Sequence, residues 1–361
     1  METPFLFDAH VDTLQLSLDM GVNLAQTSPG QLDLPRARAG GLGAVVMTAW
    51  VHPRYCKPEN GGAFQRAELL LDELDGLAQR APEQTKLIRT QADWNEARAQ
   101  GKLALLAGME GGHPLEASEA KLEHFAERGL RVLTLVWNNH LPWIRSCEPD
   151  AGPDVPAGLS AFGRHLVRRM NELGVLVDVS HSGTRSFYDA LEASTKPVIA
   201  SHSACFALNP HRRNLDDDQL RAIAGNGGVV GVPFLPSFLD SDAQATSARL
   251  RDTDDYRGLA ASNGTELEVV RTAHMQAVMP PLSIQRLIDH IQHIAEVAGV
   301  EHVGLGSDYD GITTTVEGLP DASSYPALIG PMGERGFSRE DIAAICGGNM
   351  ERALLASLEA S

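Results

Sequence analysis

Six side chains that commonly bind metal ions or transfer protons stand at or just after the ends of short apolar runs in this sequence. They are His10, Asp12, Glu110, His181, His202 and Asp308. Imidazole nitrogens and carboxylate oxygens are ligands that zinc accepts in proteins. Each residue alone is compatible with a strand end that meets water, but six such groups would be costly to bury without partners. The pattern therefore predicts a metal site, provided that the fold brings these segments together.

The elements that must position these side chains alternate along the chain. Eight short apolar runs cover residues 5–10, 44–51, 103–110, 132–138, 175–181, 198–202, 229–235 and 303–308. Most are continuous rather than alternating, as expected for parallel strands covered on both faces. Segments with helical periodicity lie between them, at 63–80, 118–128, 160–173, 183–194 and 283–298. This alternation predicts a (β/α)8 TIM barrel, with a doubly wound sheet as the alternative.

In such a barrel the carboxyl ends of all strands meet at one mouth, where barrel enzymes place their active sites. The number of ligands suits two metal ions better than one. Glu110 and a hydroxide are predicted to bridge two Zn²⁺ ions roughly 3.5–4 Å apart. His10 and Asp12 would complete one shell, and His181 and His202 the other. A carboxylated lysine is a common alternative bridge, but no lysine of this chain closes an apolar run.

We expect a single domain over residues 1–361, with two insertions. Residues 138–158 are rich in Pro, Gly and acidic residues, and residues 236–275 form a long polar segment after the seventh apolar run. Long loops in compact domains are usually functional or disordered. Both segments are therefore predicted to be loops or lids over one face of the barrel.

Composition narrows the kind of partner and the compartment. The formal net charge is −17, which argues against nucleic acid and anionic membranes, because both require basic patches. No stretch has the pattern of a signal peptide or a transmembrane span. The four cysteines are not paired as in zinc sites or disulfide frameworks. We therefore expect a cytoplasmic protein that acts on a small molecule.

Around the candidate ligands the sequence resembles the membrane (renal) dipeptidase family, the M19-type zinc dipeptidases among the amidohydrolase-like barrels. The matching stretches span nearly the whole chain and are DAHVD, GMEGGH, LTLVWNNHLPW, VDVSHSG, IASHSA, HRRNLDDDQL, HVGLGSDYDG and GGN. The resemblance implies a barrel of the metallo-dependent hydrolase type with a dinuclear zinc site. Its implied ligands are His10, Asp12, Glu110, His181 and His202.

The resemblance also implies roles for two residues outside the ligand set. Arg213 would anchor the α-carboxylate of a dipeptide, and its forked guanidinium suits such a group. The alternative for Arg213 is a surface ion pair with the acidic run 216–218. Asp308 would act as the acid–base residue and meet the free amine of the substrate. A homodimer and a soluble form, without the secretion and anchoring signals of membrane-bound members, are further expectations.

One position departs from the family pattern. Members commonly carry a substrate-contacting histidine in the fourth-strand motif, where this chain has Trp137. The nearest histidine is His140, which either takes over this contact from the adjoining loop or leaves it absent. We therefore include both residues among the candidate substrate contacts, and this departure concerns the substrate range more than the reaction.

The function predicted from these residues is hydrolysis of the amide bond of L-Xaa-L/D-Xaa dipeptides by a metal-bridged hydroxide, with Asp308 moving the proton. A hydrolase of N-acyl amino acids or lactones is one alternative, and a non-catalytic metal-binding barrel is another. Two further polar residues are expected to be bystanders. Asp178 should face the other side of its strand, and His290 should be exposed on its helix.

Overall fold

The strands of this protein form one parallel sheet that closes into a barrel. The computed structural model describes residues 4–358, so residues 1–3 and 359–361 of the predicted domain lie outside it. The strands are β1 (Leu6–Val11), β2 (Leu42–Trp50), β3 (Thr85–Leu87), β4 (Leu103–Glu110), β5 (Leu130–Thr134), β6 (Leu176–Asp178), β7 (Val198–Ala200), β8 (Val229–Val232) and β9 (Val303–Leu305). The order is β2-β1-β9-β8-β7-β6-β5-β4, and β2 pairs with β4 to close the ring.

Eight of these strands form the ring, which confirms the predicted (β/α)8 barrel. The additional strand β3 is absent from the sequence-based prediction. It pairs with the first three residues of β4, while β5 pairs with the last four, so β3 and β5 share one edge of β4. The short strand therefore lies beside the barrel and does not interrupt the ring.

Helices surround the barrel on its outer face and at its two ends. The α-helices are α1 (Leu14–Met20), α2 (Leu34–Ala39), α3 (Ala63–Arg80), α4 (Gln91–Gln100), α5 (Glu119–Arg128), α6 (Ala161–Leu173), α7 (Thr184–Ala193), α8 (Asp217–Gly225), α9 (Pro236–Leu239), α10 (Ser241–Arg251), α11 (Asp254–Arg257), α12 (Gly264–Val278), α13 (Ile284–Ala298), α14 (Ile329–Glu334), α15 (Arg339–Ala343) and α16 (Asn349–Leu358). The five predicted helical segments agree with α3, α5, α6, α7 and α13 to within one residue at each end. Such local agreement is expected, since apolar periodicity and capping residues such as Ser160 mark helix ends. Within residues 4–358, no helix combines the length and apolar character needed to cross a bilayer.

Alternating strand residues fill the barrel interior. These residues include Phe7, Ala9, Ala44, Val46, Ala104, Leu106, Val132, Leu176, Ile199 and Val229. Met350 and Leu354 of α16 belong to the same cluster and cover its lower end. Near the upper end, a Cβ on Gly231 or Gly306 would lie 2.1 or 1.8 Å from the carbonyl oxygen of Ser201. Glycine is therefore required where the backbones of β7, β8 and β9 come close together.

The two insertions differ in structure. Residues 138–158 contain no helix or strand in the described chain, only isolated bridges, in agreement with a loop. The segment expected to be a loop over residues 236–275 is instead helical, because α9, α10, α11 and α12 occupy residues 236–278. Short polar caps such as Asp240 and Asn263 start α10 and α12. These caps and the mixed polarity of the helices explain why apolar periodicity did not predict them.

Candidate metal centre and substrate cavity

A β-bulge in β1 aims the first two candidate ligands into the barrel. Phe7 and Ala9 belong to the interior cluster, so strict alternation would turn His10 outward. The register between β1 and β2 shifts just before the end of β1, where β1 has one residue more than its partner. Val11 consequently packs in the outer core, while His10 and Asp12 both point inward. Bulges re-aim side chains in this way next to active sites.

The other candidate site residues lie at the same mouth of the barrel. Glu110 is the last residue of β4. It points into the barrel, because it lies four residues after the inward-pointing Leu106 and side chains alternate along a strand. His181, His202 and Asp308 follow the ends of β6, β7 and β9 by two or three residues. His181 and Asp308 have left-handed backbone conformations, with φ values of 65° and 64°. Such conformations cost a non-glycine residue free energy and cluster at functional sites.

The Nε2 atoms of all three histidines face the carboxylate of Glu110. Glu110 Oε1 lies 2.8 Å from the Nε2 of His181, 3.4 Å from that of His202 and 3.8 Å from that of His10. Asp12 Oδ2 lies 3.6 Å from His10 Nε2. Each of these residues is at most 7% exposed. The structure therefore brings all five predicted ligands together in one buried cluster.

Two groups of potential ligand atoms share His10. One contains His10, Glu110 and His202, the other contains His10, Asp12 and Asp308, and the atoms of each group lie within 4.8 Å of one another. Within the described chain, His10 Nε2 and Asp12 Oδ1 are buried without a hydrogen-bond partner. Buried polar atoms are rarely left unpaired. A nitrogen- and oxygen-rich cluster with unpaired buried atoms suits a divalent metal ion.

Hydrogen bonds beyond the cluster determine where the imidazole protons lie. Ser201 Oγ donates to Asp178 Oδ2 at 2.6 Å, so it accepts from the Nδ1–H of His202 at 2.8 Å. Asn138 Oδ1 accepts from the Nδ1–H of His181 at 2.8 Å. Both neutral rings therefore present an unprotonated Nε2, because a neutral imidazole carries one proton.

The two unprotonated nitrogens face each other across a short gap. The Nε2 atoms of His181 and His202 are 3.1 Å apart, with Glu110 Oε1 beside them. Lone pairs at this distance repel unless a proton or a cation lies between them. Because both ring protons are used on the opposite side, this arrangement fits a bound cation.

Asp178 corrects one expectation from the sequence. It is fully buried inside the barrel below the histidines, and it accepts hydrogen bonds from Thr134 and Ser201. Asp178 points into the barrel because it lies two residues after Leu176, whose side chain also points inward. Three residues separate Asp178 from His181, and in a continuous strand this spacing would put the two side chains on opposite faces. The strand instead ends at Asp178, and His181 has a left-handed backbone conformation, so both side chains point inward.

The electrostatic balance of the cluster also favours a cation. Burial raises the pKa of Glu110 well above its usual value, and the nearby Asp12 and Asp308 add to this effect against the opposing influence of His10. Burial likewise raises the pKa of Asp308 to about 7, with His10 and Arg213 opposing and Asp12 adding. The carboxyl groups of Glu110 and Asp308 thus lack sufficient positive charge nearby. Divalent cations would supply it.

The histidines respond to the same surroundings in two ways. Burial lowers the pKa of His181 and His202 well below the usual value, and Arg213 and His10 lower it further. Both rings are therefore neutral at neutral pH, the form in which imidazole binds metals. For His10, burial also lowers the pKa, but the carboxylates of Asp12 and Glu110 outweigh it and raise the pKa to about 10.

A cavity of about 1190 Å³ opens above the cluster. Glu110, His181, Arg213 and Asp308 line it, as do several residues of α12 in the helical insertion. Trp137 forms part of the wall, with its ring centroid 5.3 Å from that of Trp50 and 6.1 Å from that of His181. The helical insertion therefore covers the mouth of the barrel, as a lid would.

Arg213 faces this cavity as a buried and incompletely paired cation. It is 6% exposed, its Nη2 donates to the carbonyl of His202 at 3.2 Å, and its Nε has no partner within the described residues. The alternative of an ion pair with the following acidic run is wrong. Those acids act elsewhere: Asp216 caps α8, Asp217 pairs with His293 and Asp218 pairs with Arg221.

Of the two alternatives for His140 the structure favours the absent contact, and the predicted position of His290 is wrong. His140 does not line the cavity, because its ring is held in the loop, where Nδ1 accepts from the Ser146 backbone N–H and Nε2 donates to the carbonyl of Asp150, both at 3.1 Å. His290, expected on the surface, is fully buried and accepts from the Cys205 backbone N–H at 3.0 Å. Asn138, which the sequence reasoning missed, contacts the cluster instead and stands next to the anomalous Trp137.

A (β/α)8 barrel with such a cluster at its carboxyl mouth defines a metal-dependent hydrolase of the barrel class. Comparison with known proteins specifies the family. The family model described as membrane dipeptidase, peptidase family M19, matches residues 1–360. The chain belongs to this family and is therefore a metallopeptidase, which confirms the resemblance seen in the sequence.

Individual relatives agree with this assignment. The dipeptidase tcpJ of Claviceps purpurea is 30% identical over 330 residues, which are 90% of this chain and 69% of that protein. The crystal structure of the probable dipeptidase PvdM from Pseudomonas aeruginosa has 26% identity and a TM-score of 0.85, covering 100% of this chain and 97% of that one. A metallopeptidase from Rhodobacter sphaeroides, liganded with a phosphinate mimic of L-Ala-D-Ala, has 25% identity and a TM-score of 0.80, covering 99% and 100%.

We expect Glu110→Gln to release at least one metal ion per chain, because the amide keeps the shape of the side chain but removes the charge that binds cations. Metal content of the purified variant by atomic emission measures this outcome. Glu83→Gln, on an exposed residue, is the matched control and should retain the wild-type content. Equal metal content in both variants would exclude a ligand role for Glu110.

Proposed function

We propose that this protein is a dinuclear zinc dipeptidase that hydrolyses the amide bond of L-Xaa-L/D-Xaa dipeptides. One observation carries the proposal: the neutral imidazoles of His181 and His202, the carboxylate of Glu110 and the incompletely paired Arg213 line the same cavity. A metal site beside an anion anchor suits a short substrate with a free carboxylate. The phosphinate mimic of a dipeptide bound by the Rhodobacter sphaeroides relative supports the same class of substrate.

The residues present fit two zinc ions. His10 and Asp12 would hold one ion, His181 and His202 the other, and Glu110 would contact both. Bound zinc would supply an activated water and polarise the scissile carbonyl. Ser201 and Asn138 hold the imidazoles in the tautomer that this requires.

Arg213 and Asp308 would hold the two ends of the substrate. The guanidinium of Arg213 binds the α-carboxylate, since it is permanently charged and has an unused buried N–H. The carboxylate of Asp308 receives a proton from the attacking water and returns it to the leaving nitrogen, and it also meets the free amine. With both termini bound, a dipeptide is the natural length.

A second candidate function rests on the wall formed by Trp137. An indole occupies the position where related dipeptidases commonly present an imidazole, and His140 is held in the loop. Such a site could favour substrates other than dipeptides. Hydrolysis of N-acyl amino acids or lactones is therefore the alternative.

The proposed function is tested on a panel of substrates with the zinc-loaded protein. We expect turnover of L-Xaa-L-Xaa or L-Xaa-D-Xaa dipeptides to exceed that of N-acyl amino acids and lactones, because only dipeptides meet both Arg213 and Asp308. Rates of amine release and of lactone opening give kcat/KM for each class. Turnover of the second group alone would favour the alternative function.

For Asp308→Asn we expect kcat on dipeptides to fall by at least about a hundredfold, since the amide cannot carry the proton. Zinc content should remain at the wild-type level. Steady-state kinetics and atomic emission on the same preparation separate the two effects. Asp218→Asn, on an exposed residue, is the control. Loss of zinc together with activity would instead make Asp308 a ligand.

For Arg213→Ala we expect KM for L-Ala-L-Ala to rise by at least about tenfold, because a charge-assisted hydrogen bond is lost. The effect on L-Ala-L-Ala amide, which lacks the α-carboxylate, should be smaller. Steady-state kinetics with both substrates measure the difference, and Arg221→Ala in α8 is the control. An equal loss on both substrates would place the carboxylate anchor elsewhere.

A further inference from the structure

A second cavity lies on the other side of Arg213. Its volume is about 530 Å³, and His181 and Arg213 line both this cavity and the larger one. The loop at residues 145–149, the start of α7 and Ser203 form much of its wall. The two cavities are therefore separated by the residue that we propose as the carboxylate anchor.

The acidic residues around the second cavity are engaged with other groups. Glu148 Oε1 lies 3.2 Å from Arg212 Nε. Asp216 caps the N-terminus of α8. On the basic side, Arg185 pairs with Asp189 at 2.8 Å. These charges are locally balanced and leave little capacity for a ligand.

Two arginines of the cavity remain without a carboxylate partner. Within the described residues, no carboxylate oxygen lies within 4.0 Å of the guanidinium nitrogens of Arg145 or Arg213, the limit for an ion pair. Arg213 is also 6% exposed, with an unpartnered Nε. In a chain of net charge −17, two such arginines on one cavity wall favour an anionic ligand.

The start of α7 adds donors to the same wall. Gly183 precedes the helix and supplies no capping side chain. In the described chain, the backbone N–H groups of Thr184, Arg185 and Ser186 have no acceptor among protein atoms. The carbonyl of Arg145 accepts from Gly183 N–H at 3.0 Å and from Ser186 Oγ at 2.7 Å, which ties Arg145 to this helix end. Helix N-termini bind anions through such N–H groups.

Ser203 supplies an independent indication of a ligand. It lines the second cavity and is fully buried, yet its Oγ has no hydrogen-bond partner within residues 4–358. A buried hydroxyl without a partner is unfavourable. An acceptor group in the cavity would satisfy it.

We propose that the second cavity binds the side-chain carboxylate of an acidic residue at the C-terminal position of the dipeptide. This inference rests on the proposed function, in which Arg213 holds the α-carboxylate. The α- and side-chain carboxylates of Asp or Glu are only a few bonds apart, so both reach donors on the two sides of Arg213. Arg145, the start of α7 and Ser203 receive the second carboxylate. The protein is then a dipeptidase selective for acidic C-terminal residues.

The inference is tested by comparing L-Ala-Glu with L-Ala-Gln, with the second residue in both the L and the D configuration. Gln has the shape of Glu without its charge. We expect kcat/KM to favour Glu by at least about tenfold in one configuration, since charge-assisted hydrogen bonds discriminate by this amount. Because the ratio is measured on one preparation, it is independent of the fraction of active enzyme.

Variants assign the preference to the second cavity. Arg145→Gln should reduce the Glu-to-Gln ratio at least about fivefold, and Ser203→Ala should reduce it less, since a neutral donor contributes less than a charged one. Arg221→Gln, which removes an exposed charge outside both cavities, should keep the wild-type ratio. An equal fall in Arg221→Gln would attribute the preference to net charge and overturn the assignment.

The remaining outcomes are distinguishable. If both dipeptides are hydrolysed with a Glu-to-Gln ratio of kcat/KM near one, this inference is overturned and the dipeptidase function remains. If no dipeptide is hydrolysed, both the inference and the proposed function are overturned. Inorganic phosphate is added as a competitor. A ratio near one, with phosphate inhibition that is equal for both substrates and lost in Arg145→Gln, would assign the cavity to free anions instead of a substrate side chain.

Discussion

The constraint on which the rest of the structure depends is a buried group of hydrogen-bond acceptors at the mouth of the barrel. These acceptors face one another, and no proton lies between them. The Nε2 atoms of His181 and His202 face each other and Glu110, and their Nδ1 protons are used on the opposite side. Burying such groups unpaired costs several kcal/mol in principle. The barrel must therefore hold mutually repelling groups in place, and a bound cation would turn this repulsion into attraction. Asp178, through Ser201, makes the arrangement rigid.

The backbone accommodates this cluster by local departures from regular structure. A bulge turns His10 inward at the end of β1, and His181 and Asp308 take left-handed conformations. Gly311 lies so close that a Cβ there would be 2.2 Å from Asp12 Oδ2. Strained positions cost on the order of 1–3 kcal/mol each and persist where the surrounding structure over-determines them. Here the closed ring of paired strands and its filled interior supply that constraint.

The placement of charges, rather than the net charge, leaves a buried arginine incompletely paired. The chain carries −17, yet its acids are largely used in helix caps and ion pairs at the surface, as the run 216–218 illustrates. Arg213 keeps an unpartnered Nε at the wall of the cavity above the cluster, and Arg145 lines the second cavity. A negatively charged protein can thus present a locally positive anchor, because short-range geometry outweighs the screened field of distant charges.

The sequence by itself indicated alternating strands and helices, five of the helices to within one residue, the family and the identity of the clustered side chains, because periodicity, caps and strand ends are local signals. Closure of the ring through the pairing of β2 with β4 decided for the barrel over the doubly wound sheet. Only the tertiary structure decided how those side chains point. It turned His10 inward through a bulge, buried Asp178 under the histidines, and put Asn138 rather than His140 in contact with the cluster. It also built β3 and the helical insertion from weakly patterned segments. The physical reason is that register, backbone conformation beyond a strand end and hydrogen-bond partners depend on contacts between residues far apart in the chain.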